Sequence, residues 1–294
     1  MRTTFVTRFC AALGIVAALA AASPAAEPLV EQGRAALGRG DTDAAIVVLE
    51  KAVVQYPKSA AAAYCLGSAY GQKAQQAGMM AGMAYAPKMK EAFEKAVALD
   101  PRHLDARYSL VQFYSAAPPL MGGSTDKALE LAKAIKAIDP LYGHRACAFV
   151  YTTQKQPDLA KKEYLDGIRE QPDSPRAHGY YGQYLAVVEK NYAAAFIALE
   201  AALKRDANYM PAYYHLGRAA ALADTNLARG EEALRKYIAY APKENEPPLA
   251  NAHYYLGLVC EKEGKKAEAK QNYETALKLN PTLKDAPEAL KRVS

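Results

Sequence analysis

No tryptophan occurs among the 294 residues, so aromatic bulk falls to 21 tyrosines and six phenylalanines. Cysteine is scarce as well. Of four, Cys10 lies in the apolar opening stretch, and Cys65, Cys147 and Cys260 are scattered through the rest. An odd, dispersed set does not read as a disulfide framework, and each suits the part of a small buried residue. Strong charge is missing too: the formal net charge is +6 with the signs interspersed, which argues against nucleic acid as the main partner. The apolar run Phe9–Ala22 falls short of the ~20 residues that a membrane span needs. With 51% hydrophobic and 23% charged residues, the composition suits a soluble protein with a large core.

That apolar run does fit another pattern. MRTTFVTRFCAALGIVAALAAASPAAEP carries Arg2 and Arg8, then the apolar stretch, then small residues around Ser23 to Ala26. This is the layout of a secretory signal, so residues 1–26 are expected to be a signal peptide and the mature chain to be periplasmic or secreted, without a transmembrane segment. Removing them takes two arginines and no acid, bringing +6 to +4.

Catalytic signatures are likewise missing. His103, His144, His178, His215 and His253 stand far apart, with no HExxH and no second histidine at helical spacing, so they read as surface or groove residues and no metal is expected. GGSTDKA, Gly122 to Ala128, is a turn into a helix capped by Ser124 or Thr125, but it lacks the GxxxxGK[ST] pattern of a nucleotide loop. There is no GxSxG and no credible carboxylate pair. Neither an enzyme nor a cofactor is expected.

What the chain does have is a period. A small residue recurs as Gly33, Gly67, Val111, Ala148, Gly182, Gly217 and Gly257, and a terminal residue as Pro57, Pro101, Pro140, Pro172, Ala207, Pro242 and Pro281. Between them Ala45, Ala128, Ala160, Ala195 and Ala269 share a column, and Leu49, Phe93, Tyr164, Leu199 and Tyr273 stand four positions on in their units. Small residues let two helices approach, the large residue fills the space beside them, and proline ends the unit. In AHYYLGLVCEKEGKKAEAKQNYETALKLNP, Ala252 to Pro281, all these marks coincide. The unit resembles the tetratricopeptide repeat, a helix-turn-helix of 34 residues. That resemblance implies an all-α fold, a right-handed superhelical solenoid of about seven repeats near 26–59, 60–103, 104–142, 143–174, 175–209, 210–244 and 250–283, with a cap helix at 284–292. Departures occur where Met89 and Gly230 replace alanine, where Ile135 and Tyr237 fill a small column, and where Ala207 replaces proline. The second and third units and the stretch before the seventh carry insertions.

The resemblance also implies a concave groove. Three residues before the small column stand Tyr64, Tyr108, Arg145, Tyr214 and Tyr254, and neighbouring groove columns hold Arg34, Tyr142, Arg176, Gln183 and Arg218. Tyrosine gives a rigid, amphipathic contact surface and arginine a bidentate grip on a carboxylate, which suits an extended peptide or an amphipathic ligand with an acidic end. Bulky half-buried tyrosines that only join helix pairs would produce the same column. The family's carboxylate clamp uses lysine and asparagine at fixed columns where this chain has Tyr64, Ser68, Tyr108 and Gln112, so that specificity is not carried over.

The second-unit insertion, QQAGMMAGMAYAPKM, holds four of the six methionines beyond Met1. With the third unit's Met121, Met79, Met80 and Met83 are expected to form one soft apolar patch, since both insertions lie at equivalent turns. Gap-filling, a lid over an apolar ligand or partner helix, and Cu(I) binding all fit such a patch. The leading expectation is an exported scaffold that holds a protein or peptide client in an envelope assembly. The alternative is a carrier of a small hydrophobic ligand beneath the methionine-bearing insertions.

Overall fold

A computed structural model describes residues 27–78, 82–243 and 246–294. The expected signal peptide, with Met79 and Met80, lies outside the described residues. Among the described residues there is no strand, and no helix is long and apolar enough to cross a membrane. Among the described residues fifteen α-helices follow one another: α1 (Pro28–Gly38), α2 (Thr42–Gln55), α3 (Ala60–Gln76), α4 (Ala86–Leu99), α5 (Leu104–Ala116), α6 (Thr125–Ile138), α7 (Pro140–Thr153), α8 (Pro157–Glu170), α9 (Pro175–Tyr184), α10 (Tyr192–Arg205), α11 (Met210–Ala223), α12 (Leu227–Ile238), α13 (Leu249–Lys262), α14 (Lys266–Leu279) and α15 (Ala286–Val293). The first fourteen pack as consecutive hairpins, each also resting on the next, and α15 closes the stack against α14. The protein is an all-α solenoid of the expected kind.

The close approach is visible at the glycines. A Cβ on Gly67 would lie 2.6 Å from the Phe93 ring, one on Gly182 2.6 Å from Leu199 Cγ, and one on Gly257 2.5 Å from the Tyr273 ring. Leu49 and Leu234 crowd Gly33 and Gly217 in the same way. Departures from the repeat are compensated locally. Met89, too long for an alanine column, lies against Gly71, and Gly230 makes room for Ala220. Tyr237 enters its small column fully buried and donates its hydroxyl to the Pro247 carbonyl at 2.6 Å.

Caps mark the joints. The side chains of Asp41, Ser59, Ser124, Asp139, Ser174 and Asn191 accept from backbone N–H groups in the first turns of α2, α3, α6, α7, α9 and α10. Between hairpins, Asp100, Asp206 and Asn280 each accept from the N–H two residues on, at 2.9, 2.8 and 3.0 Å. This Asx turn shapes the joint whether or not proline follows, which is why Ala207 is tolerated.

Two units are one residue longer than the 24-residue spacing between their landmarks, and each absorbs the surplus differently. The fifth inserts a π-helical turn, Leu185–Glu189, at the end of α9. The sixth places Asp224 and Asn226 in the left-handed region, at φ 58° and 53°, in the turn before α12. Elsewhere the first hairpin meets the last. Gly40, at φ 73°, abuts Asn280 and Thr282 so tightly that a Cβ there would lie 2.6 and 2.5 Å from their side-chain oxygens.

All three cysteines in the described residues are buried, as expected. One histidine differs from the expectation of surface or groove positions. His144 is 1% exposed in the packing of α6, α7 and α8, and a buried imidazole is tolerated there because Glu163 and Glu170 meet its two nitrogens at 2.6 and 3.1 Å.

Candidate partner-binding groove

The odd-numbered helices turn one face inward, and the residues there form two adjoining cavities. The first, about 560 Å³, lies among α5, α7, α9 and α11, with Tyr142, Arg145, Arg176, Tyr180, Tyr209 and His215 on its walls. The second, about 590 Å³, lies between the first hairpins and the last, with Arg34, Tyr64, Ser68 and Gln72 facing Leu249 and Leu279. Lys243 and Glu246, from the stretch before α13, line both.

In the first cavity the rings and guanidinium groups are interleaved. Tyr108 stacks on Tyr142 at 5.2 Å between centroids, and the Arg145 guanidinium sits 4.9, 5.1 and 5.5 Å from the rings of Tyr108, Tyr180 and Tyr142. Cation–π attraction of this kind contributes ~0.5–2 kcal/mol per contact, more as water is excluded. The Tyr142 hydroxyl donates to Asp105 Oδ1 at 2.8 Å, and burial, reinforced by Asp105, pushes that phenol far above its ordinary range although Arg145 pulls the other way. Arg176 grips Asp139 with two nitrogens at 2.7 Å each, while Asp139 also caps α7. His215 is 6% exposed, and burial first, then Arg218 and Arg145, lower its pKa to about 3. It is a neutral ring held beside two fixed positive charges.

The expected site residues separate into groups. Tyr108, Arg145 and Arg176 meet in or beside the first cavity, and Tyr64 lines the second with Arg34. Arg218 reaches the Tyr255 ring at 5.5 Å. Tyr214 is 3% exposed, packed among His215, Tyr237 and Tyr255 in the interior. Tyr254 contacts Tyr273 and lies within electrostatic reach of Asp285 and Arg292 at the cap helix, away from both cavities. Tyr180 and Tyr209 were not singled out from the sequence, and His215 was named only among the histidines expected at the surface or in the groove. Tyr180 and His215 occupy the column two residues before the small position, which shares the inward face with Tyr64 and Arg145 of the column before it.

The insertions meet in part. Met121 and Met89 line a third cavity of about 510 Å³ together with Phe93, Phe113 and Phe149, whereas Met83 is 48% exposed and lies outside it. Glu231, Cys260 and Glu268 form a cluster in which three ligand atoms lie within 4.8 Å of one another, but Lys265 and Arg235 already neutralise its carboxylates. Among the described residues the groove gathers tyrosine hydroxyls, arginines and amides rather than a nucleophile with its base.

Family models described as tetratricopeptide repeat match residues 30–77, 150–211 and 250–283. No curated protein matches the chain by sequence. Among solved structures, yeast Tom70 superposes with a TM-score of 0.55 at 13% identity, over 93% of this chain and 65% of that one. The human IFIT1 dimer with PPP-AAAA gives 0.52 at 19% identity, over 90% and 62%. A tetratricopeptide repeat protein from Parabacteroides merdae gives 0.49 at 15% identity, over 91% and 98%. The chain thus spans less than two thirds of Tom70 or IFIT1, and the likeness extends to the fold.

Proposed function

We propose, for a chain that belongs to the tetratricopeptide repeat family, that it is a non-enzymatic scaffold whose inward face holds an extended segment of a client protein. One observation carries the reading: tyrosine rings and arginines line a cavity of about 560 Å³ that continues into a second of about 590 Å³. Tyrosine and arginine are the residues that dominate binding energy at interfaces, and helix-borne positions hold them rigidly, so little ordering cost falls on the scaffold. The N-terminal Arg2 and Arg8 before an apolar run support export, and an envelope assembly is the setting we propose. N-terminal sequencing of the protein from its own cells tests that part: an intact Met1 would refute cleavage.

The groove is tested with a photo-crosslinking residue at Gln183, which lines the first cavity, and at Ile197, which is 74% exposed. The reading expects adducts at Gln183 that map to one segment of one protein and disappear in Tyr108→Ala/Tyr180→Ala. Equal adducts at Ile197, or adducts that survive the double substitution, would refute it. The 510 Å³ cavity favours a second reading, in which Met89, Met121 and three phenylalanines hold an apolar small molecule. Native mass spectrometry of the purified protein tests this reading, which expects a discrete added mass that vanishes on denaturation.

A further inference from the structure

The first cavity carries as many carboxylates as cations, but they are unevenly paired. Asp139 is held by Arg176, Asp105 accepts the Tyr142 hydroxyl, and Glu246 accepts from the Lys243 N–H. Arg145 is left to tyrosine rings, with no ion pair among the described residues. Arg218, three residues beyond His215 on α11, has its Nε buried without a hydrogen-bond partner, and His215 Nδ1 is in the same condition. Buried donors without partners and guanidinium groups without counter-ions are costly, and such groups are seldom retained unless something completes them.

We infer that Arg145, His215 and Arg218 form a subsite for a carboxylate of the bound segment, taken up together with a proton on His215. The inference rests on the peptide-groove reading and adds the chemistry of what is recognised. A carboxylate arriving between the two arginines supplies the missing negative charge. It also cancels the part of the lowering that the arginines impose on His215, and it offers the buried imidazolium a counter-ion that offsets the cost of burial. The proton comes from solvent, and the product is an imidazolium–carboxylate pair flanked by guanidinium groups. The other titratable and charged groups sharing the site are Asp105 of α5, Asp139 and Tyr142 at the start of α7, Arg176 and Tyr180 of α9, Tyr209, Tyr214 of α11, and Lys243 and Glu246. Arg176 is already neutralised by Asp139, and Tyr180 and Tyr214 carry raised pKa values that keep them neutral. His215 is therefore the group at this site placed to change charge between pH 5.5 and 7.5.

The probe is N-acetyl-aspartic acid N-methylamide, whose carboxyl stays ionised through that range, with the asparagine analogue as neutral control. Side-chain ¹⁵N spectra of histidine report the protonation state of His215 during titration. The expected result is binding of the aspartate probe alone, with His215 converting to imidazolium on saturation and affinity rising by up to about tenfold per pH unit as pH falls, the limit for one linked proton. Arg218→Gln should weaken binding about tenfold or more, the size of a lost charge-assisted hydrogen bond, while Arg218→Lys, which keeps the charge, should weaken it less. His215→Asn should bind with no pH dependence beyond that of the buffer. Equal binding of the asparagine analogue, or a His215 that stays neutral at saturation, would overturn the inference. Crosslinks at Gln183 with no response to the probe would overturn this subsite and leave the groove standing. A probe response without crosslinks would keep the subsite and remove the peptide reading.

Discussion

Replacing Gly182 by alanine places a methyl 2.6 Å from Leu199 Cγ, 2.8 Å from Cδ2 and 3.3 Å from the Leu199 backbone nitrogen. Comfortable carbon contacts lie near 3.5–4.0 Å, so the leucine must retreat by roughly 1 Å. It is fully buried and has nowhere open to go. Overpacking of this kind costs ~1–3 kcal/mol. Against it stands the helical preference for alanine over glycine, ~1 kcal/mol. The net expected loss in the native background is therefore up to about 2 kcal/mol, the difference of those two terms. In a Leu199→Ala background, itself ~2–5 kcal/mol less stable, the side-chain clash is gone, only the 3.3 Å backbone contact remains, and the same substitution should stabilise by up to ~1 kcal/mol. Because repeat arrays need not unfold in one step, the assay is native-state hydrogen exchange of amides in α9 and α10. A loss of 2 kcal/mol would speed exchange there about thirtyfold. If Gly182→Ala slowed exchange in the native background, close approach would not be what the small column is for.

Other outcomes follow from the same contacts. Burial opposes a charge on His144, but the hydrogen bonds its ring donates to Glu163 and Glu170 outweigh it and raise its pKa above the ordinary 6.5. The folded state therefore holds its proton longer than the unfolded chain, so this stabilisation is full below pH 6.5 and lost as pH rises through the folded pKa. Thermal melts of the parent should show that decline, and His144→Gln should flatten it. Asp139→Ala removes both the α7 cap and the partner of Arg176, and should cost about 1–2 kcal/mol, whereas Arg176→Ala, at a partly exposed pair, should cost under about 1; urea midpoints of the two variants decide the order. Burial pushes the Cys147 and Cys260 thiols up to about 11. A thiol reagent should leave both, and buried Cys65, unmodified until denaturant is added, and rapid native labelling would contradict their burial.

The fold was legible because each mark has a local cause. Gly67 and Phe93, or Gly257 and Tyr273, meet across a single hairpin, so their spacing survives in the linear chain. Asp and Ser caps sit beside the helices they start. Even the surplus residue in the fifth unit was countable, although the count alone does not choose between the π turn at Leu185–Glu189 and the paired left-handed residues near Asn226. The groove was less legible because it depends on how hairpins rotate against one another. Tyr214 and Tyr108 occupy the same column, yet one is sealed beneath Tyr255 and the other stacks on Tyr142 in reach of Arg145. His215 carried no signal of its own, since its character comes from Arg145 on α7 as well as Arg218 on its own helix.

The contact of Gly40 with Asn280 and Thr282 changes the statistics of the whole stack. In an open array the outermost hairpin has one neighbour, melts first, and lets disorder creep inward. Joining the first unit to the last turns a row with two loose ends into a lightly closed circuit, in which fraying of either outer hairpin must also break this seam. A bulky substitution at Gly40 would cut the circuit at its seam and return the protein to an ordinary fraying row.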